Sequence, residues 1–459
     1  MKQIFFYFCN MPVAPEQKPL KHIIPFADAA KVWGKVALYS FGGPAGQIAV
    51  MHKFLVEEKK WVTEDDFLHA LNYCMLLPGP EAQQLATYIG WLLHGFKGGL
   101  LAGCLFILPG FVSILLLSIL YVLFSDTLLI EGLFYGIKPA ILAIVVGAVL
   151  KIGQRALKTQ AMYIIAVLAF VAIFFFNVPF PFIILFAALA ALIGGRLNEK
   201  QFYVIKGHKV GDQHTKPQRP SLLATIGTAL FWGFLWVLPI AAILMFAGAE
   251  SIFFAEATFF SKTAVVTFGG AYSVLAYISQ KAVETYGWLK PGEMLDGLGM
   301  AETTPGPLIQ VVQFVGFMGA YRFPGTLDPL VAGIIGSVVV TWVTFVPCFL
   351  FIFVGAPYIE YFRGNKSMST ALSGITAAVV GVVLNLAIWF SLHTLFSSHY
   401  DFQYGPLQLS VPNFASIDWY SAGIAALAFI VYFGFKLDML KTIGVCVLVG
   451  LLIKILQYS

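Results

Sequence analysis

The sequence predicts an all-α polytopic membrane protein of two inverted-topology repeats, with broken helices and about 13 spans of roughly 20 residues each. Three observations carry this. The 459 residues are 59% hydrophobic and only 11% charged, where a soluble chain carries about 25%. Apolar windows long enough to cross a bilayer recur along the whole chain. Finally, Lys35 to Gln83 reappears without a gap as Lys262 to Gln310. The shared residues include Phe41-Gly42-Gly43 with Phe268-Gly269-Gly270, Glu57 with Glu284, Trp61 with Trp288, and Pro78-Gly79-Pro80 with Pro305-Gly306-Pro307. Matched glycines and prolines in an apolar chain point to duplicated helix breaks.

Residues 1–31 read as a cytoplasmic leader. Its apolar start is too short for a signal peptide, and Met11 is a second candidate start because MPVAPEQKPL is polar. The first repeat, 32–195, holds spans at 32–52, 67–93, 99–124, 132–150, 161–177 and 179–195. A basic cytoplasmic linker, 196–221, contains Lys200, Lys206, Lys209, Lys216 and Arg219. An extra span follows at 222–247. The second repeat, 248–459, holds spans at 252–278, 295–320, 328–354, 370–396, 419–434 and 439–456.

Orientation follows from the excess of Lys and Arg in cytoplasmic loops. With the N-terminus inside, Lys97, Lys151/Arg155/Lys158, the linker and Arg363/Lys366 all fall inside, while Ser125–Glu131 and Ser397–Asp418 carry no basic residue. The exception is His52–Asp66, whose three lysines sit among five acids. The extra span 222–247 makes the second repeat start on the opposite side, so the repeats are expected to be inverted about an axis in the membrane plane.

Two prolines around a glycine cannot continue a helix, because each removes an N–H donor and clashes one turn back. Pro80 and Pro307 instead suit the first turn of a new helix. Such an end carries free N–H groups and the positive end of a dipole, which favour anions. The site is therefore expected around Pro78, Gly79, Pro80 and Gln83, and around Thr303, Thr304, Pro305, Gly306, Pro307 and Gln310. The glycine pairs Gly42-Gly43 and Gly269-Gly270 serve either close helix packing or this site. Lys35 and Lys262, each six residues before its Phe, either snorkel or supply positive charge. Ser40 and Thr267 are matched hydroxyls beside them. Donors and cations with few fixed acids suit an oxyanion better than a metal cation, which would call for carboxylates or clustered Cys and His.

The carboxylates break the symmetry. Glu81 stands opposite Leu308, and Glu302 opposite Met75. Both are candidate proton-coupling groups, although Glu81 is equally suited to capping its helix. Glu57, Glu284, Trp61 and Trp288 read as interfacial loop anchors, and Lys138 as structural. Five scattered cysteines show no metal or disulfide spacing. The eight histidines form no HExxH, and no P-loop or nucleophile elbow is present. No enzyme, cofactor, metal site or nucleic-acid partner is expected, and uphill transport would need an ion gradient.

The strings SFGGPAGQIA and LLPGPEAQQLATYIGWLLHG, and later TFGGAYSVLAYI and GLGMAETTPGPLIQVVQFVGF, closely resemble the chromate ion transporter family in its long two-domain form. The likeness spans nearly the whole chain. One departure is Gln47, where many members carry histidine. The resemblance implies a bacterial inner-membrane protein that exports chromate on the proton-motive force, with sulfate as competitor or counter-ion. Uptake or exchange of sulfate or another oxyanion is the alternative, and a passive anion channel a further one. A sensor would need a soluble output domain, and no stretch is long and polar enough for one. Oligomeric state stays open between monomer and homodimer.

Overall fold

A computed structural model describes residues 24–41, 43–75, 77–124, 127–202, 221–267, 271–290, 292–358, 366–405 and 407–458. Most of the leader, residues 203–220 of the linker, and Gly42, Gly269 and Gly270 lie outside these.

The first repeat opens with two interrupted helices. Helix α1 (Phe26–Tyr39) starts after Pro25, and its apolar stripe Ala29, Val32, Trp33, Val36 and Ala37 is buried. It ends at Ser40, where ψ turns to 73°. Helix α2 (Gly43–His52) follows and runs into a π-helical turn, Lys53–Glu58. Helix α3 (Glu64–Cys74) begins at Thr63, whose hydroxyl accepts from the Asp66 N–H and so satisfies one of the first-turn donors. It stops short of Pro78-Gly79-Pro80, and α4 (Glu81–Phe124) starts after that turn. Within α4 the chain folds back at His94 and Gly95, where Gly95 has φ 59°. The segments 81–93 and 96–124 then lie against each other with Gly90 facing Gly98.

Three uninterrupted helices complete the repeat: α5 (Leu128–Ala156), α6 (Gln160–Phe176) and α7 (Phe180–Leu197). Thr159 caps α6, and Asn177 ends it in the left-handed region just before Pro179. The extra span is α8 (Leu222–Ala247), largely exposed and packed along one side.

The second repeat follows the same order. Helix α9 (Ile252–Val266) breaks at Thr267 before α10 (Ala271–Gln280) and a π-helical turn, Lys281–Thr285. Helix α11 (Glu293–Thr303) stops before Pro305-Gly306-Pro307. A 3₁₀ turn, Leu308–Gln310, then opens α12 (Val311–Arg322). Helix α13 (Pro329–Gly355) returns against α12, with the Asp328 carboxylate accepting from the Leu330 and Val331 N–H groups. Then come α14 (Lys366–Leu395), a two-stranded hairpin β1 (His399–Tyr404) and β2 (Leu407–Pro412), α15 (Trp419–Phe429) and α16 (Met439–Tyr458).

Among the described residues, seven helices are long and apolar enough to cross a membrane, including α4, α5, α7, α8 and α14. The chain is an all-α polytopic membrane protein, and the interrupted helices fill the gaps between these spans. The two halves exchange partners: α5 packs against α15 and α16, while α14 packs against α6 and α7. Small residues make the approach close. Gly136 of α5 meets the Cys446 carbonyl of α16, and Gly381 of α14 meets the Ala166 carbonyl of α6. Ion pairs cross the same boundary. Lys454 reaches Glu131 at 2.5 Å, and Lys138 reaches the buried Asp296 at 3.1 Å, where Tyr121 also donates at 3.0 Å. Lys138 thus pairs across the boundary between the halves.

Two details differ from the sequence reading. The Ser397–Asp418 loop contains a hairpin with Tyr400 opposite Val411 and Phe402 opposite Leu409. Trp288 is no interfacial anchor: it is 2% exposed and stacks on Tyr286 at 4.3 Å.

Candidate functional site

The four helix breaks meet in one place. The Gly79 N–H donates to the Thr267 carbonyl at 2.7 Å, and the Gly306 N–H donates to the Ser40 carbonyl at 3.0 Å. In the repeat alignment Gly79 corresponds to Gly306, and Ser40 to Thr267. Each Pro-Gly-Pro turn is therefore bonded to the Phe-Gly-Gly break of the other repeat, in reciprocal fashion. Such an exchange is the signature of a two-fold contact, in which i touches j and j touches i.

Both glycines hold conformations that only glycine adopts readily, φ 125° at Gly79 and 111° at Gly306. A side chain has no room either. A Cβ on Gly79 would lie 2.9 Å from Cys348 Sγ, and one on Gly306 would lie 3.0 Å from the Gly110 Cα. Cys348 and Gly110 each follow a proline, Pro347 of α13 and Pro109 of α4.

The matched polar residues line this joint in ways the sequence did not reveal. Ser40 and Thr267 are buried, but each donates its hydroxyl proton to a carbonyl one turn back, Val36 and Thr263, leaving oxygen as an acceptor only. Gln83 Nε2 donates to Thr87 at 3.0 Å, and Gln310 Nε2 to Gln313 at 2.6 Å. Gln84 Nε2 donates to the Pro78 carbonyl at 2.7 Å. The side-chain oxygens of Gln83, Gln84 and Gln310 have no partner among the described residues. Water would serve these oxygens, and a turned amide would present NH2 instead. The first N–H groups of α4, at Glu81, Ala82 and Gln83, have no acceptor within their own helix. Pro80 and Pro307 are buried, Pro78 and Pro305 half-buried. Thr303 donates to the Gly299 carbonyl at 2.8 Å, and Thr304 is buried.

Lys35 and Lys262 stand apart from the joint. Both are exposed, at equivalent positions on α1 and α9, and neither forms an ion pair among the described residues. Glu81 heads α4 half-buried. Of the predicted residues, Gly42, Gly269 and Gly270 lie outside the description.

Glu302 has the most pointed surroundings. It is fully buried on α11. One carboxyl oxygen accepts from the Tyr272 hydroxyl of α10, and the other has no partner among the described residues. The partnerless side faces the start of α2: a Cβ on Gly43 would lie 3.6 Å from Oε2. A carboxylate beside a helix N-terminus sits at the positive end of its dipole. Close by, Gln47 of α2 donates to the Gly306 carbonyl at 2.7 Å. Tyr272, Gln47, Gln84 and Gln313 were not legible as site residues, since none has an identical counterpart in the other repeat.

Gln47, which departs from the pattern the resemblance implies, makes a long-range bond to the Gly306 carbonyl. A histidine also carries a ring N–H able to donate. Gln47→His is expected to keep near-normal transport, whereas Gln47→Leu loses a buried bond of about 1 kcal/mol and leaves a carbonyl unpaired at about 1–3 kcal/mol. Initial flux rates at matched protein levels check this; equal rates for His and Leu would contradict it.

Interrupted helices paired across two halves, in a chain of membrane spans, describe a polytopic membrane protein with an inner joint between its halves. The chain belongs to the Chromate transporter family, whose model matches residues 27–194 and again 254–451. It is 28% identical to a probable chromate transport protein of Synechococcus elongatus, over 79% of this chain and 84% of that one. It is 31% identical to a chromate transport protein of Pseudomonas aeruginosa, over 76% and 77% of the two chains. With a chromate transport protein of Cupriavidus metallidurans it shares 27% identity, over 77% and 80%. No solved structure matches the chain.

Proposed function

We propose that the chain is a secondary active transporter of a tetrahedral oxyanion, exporting chromate on the proton-motive force by alternating access. We place it in the bacterial inner membrane with a cytoplasmic N-terminus. The observation that carries this reading is the reciprocal joint, where Gly79 bonds Thr267 and Gly306 bonds Ser40. Together with the exchanged packing of α5 and α14, it supports two inverted repeats that share one site. The α2 and α4 N-termini supply N–H groups and the positive ends of helix dipoles. Gln83 and Gln310 supply amides that can turn toward an anion. Lys35 and Lys262, exposed on matching helices, raise the local anion concentration on the approaches.

Glu302 is the coupling group and Glu81 its lesser companion. An anion arriving near the start of α2 repels an ionised Glu302 and favours a proton there. Taken alone, that linkage carries proton and anion together and favours the second reading, uptake of sulfate or another oxyanion with protons; export instead draws on the membrane potential, positive outside, which pulls the remaining negative charge outward. The two differ in direction.

Labelled chromate flux in membrane vesicles separates them. Efflux predicts accumulation in everted vesicles with an acid lumen, abolished by a protonophore and reduced by excess sulfate. Accumulation only in right-side-out vesicles with an acid exterior would replace export by proton-linked uptake. Equilibration indifferent to the pH gradient and the protonophore would make the protein a passive channel.

A further inference from the structure

Another buried acid lies well away from the joint, and unlike Asp296 and Glu293 it has no ion-pair partner among the described residues. Glu256 of α9 is completely buried; the Ala320 backbone N–H of α12 approaches its carboxyl group, and no side-chain hydrogen bond reaches either oxygen among the described residues. Its space is left by glycine. A Cβ on Gly319 of α12 would lie 2.6 Å from Oε1, and one on Gly336 of α13 would lie 3.1 Å from Oε2. The Trp288 side chain closes the same spot, and Phe253, Ala320 and Ala332 form the apolar packing nearby.

The duplicated fold supplies an internal control. Extending the repeat alignment back along α1 and α9 places Ala29 opposite Glu256, and Ala29 is also buried. The same half-helix therefore packs without any carboxyl group. The neighbouring acid of α1, Asp28, is exposed and pairs with Lys31 at 3.7 Å. Glu256 is thus not needed for packing.

No charge on the adjoining elements neutralises it. Arg322 of α12 is bonded to Glu293 of α11 at 2.6 Å. Asp328 caps α13, Tyr286 stacks on Trp288, Lys262 on α9 itself is exposed, and α8 carries no titratable side chain. An ionised carboxyl with no countercharge and no side-chain donor is not tolerated in apolar packing, so the docked conformation holds the neutral acid.

We infer that Glu256 is a proton-binding site of the interface between α9 and the α12–α13 pair. It carries a proton while α9 is docked and releases it when that interface opens to water. The other end of α9 presents the Thr267 carbonyl to Gly79, so docking of α9 ties this proton to the joint. That last link rests on the transport reading above; the proton site itself does not.

Hydrogen exchange of the full chain in lipid nanodiscs, followed across a pH series by mass spectrometry, tests this. In the wild type, amides of α9 should exchange about tenfold faster, relative to those of α13, at the alkaline end than at the acid end. In Glu256→Gln, which cannot ionise, α9 should stay protected throughout. Glu256→Ala, which copies the first repeat, serves as the second non-ionising variant and should behave alike. A wild-type α9 indifferent to pH, or the same response in the variants, would overturn the proposal. Loss of the transition in Glu302→Gln would also overturn it, by assigning the proton to Glu302. Failed chromate flux with the transition intact would overturn the transport reading alone.

Discussion

Gly306→Ala should abolish transport while leaving the protein in the membrane. The backbone there holds φ 111°, a conformation that costs a residue with a Cβ about 1–3 kcal/mol. The added methyl would also meet the Gly110 backbone at 3.0 Å, which cannot swing aside as a side chain can. Relief requires the turn to move, and movement breaks the bond from Gly306 to Ser40 together with that from Gln47. A loss of roughly 2–4 kcal/mol at the site corresponds to a flux reduction of about 30- to 900-fold. Gly79→Ala should follow the same course but less severely, because its nearest obstacles are the side chains of Gln84 and Cys348. Initial chromate flux, normalised to protein in the membrane, checks both. Near-normal flux in Gly306→Ala would mean that the joint is not part of the transport path.

Glu302→Gln should uncouple transport from protons. The amide oxygen can still accept from Tyr272, so local packing survives, but no proton can be bound or released. Gradient-driven accumulation should vanish, while exchange of labelled for unlabelled anion stays within about threefold, a change below 1 kcal/mol. Tyr272→Phe should weaken coupling less completely, since it removes a bond to a charged group worth about 1.5–3 kcal/mol but keeps the carboxyl. Counterflow and gradient-driven uptake, measured side by side, separate the two activities. If counterflow is lost together with accumulation, Glu302 belongs to the anion site and not to coupling.

Much of the architecture was legible because membrane chemistry writes it plainly. Spans announce themselves by apolar length, and the Pro-Gly-Pro turns announce themselves because proline cannot continue a helix. The Phe-Gly-Gly breaks were less readable, since glycine pairs serve packing as readily as interruption. The fate of the Gly79 and Gly306 N–H groups was hidden for a different reason. Free donors follow from local rules, but their acceptors, Thr267 and Ser40, lie in the opposite repeat. Long-range pairing of this kind leaves no mark in local sequence. The hydroxyls of Ser40 and Thr267 misled in the same way, because each serves its own helix. Lys35 and Lys262 were prominent as charges among apolar residues, yet their exposure depends on which helix face packs inward. Glu256 escaped notice because its repeat partner is alanine, and attention to identical positions passes over it. Glu302 is legible for the converse reason: it is a mismatch inside an otherwise matched motif.

The central claim is that the two repeats build a single anion site at one reciprocal joint. Equilibrium binding of labelled chromate to the purified full chain, with and without excess sulfate, tests it most directly. One competable chromate per chain, lost in both Gly306→Ala and Gly79→Ala, is the expected result. Two independent chromates per chain, each abolished by only one of these substitutions, would contradict it.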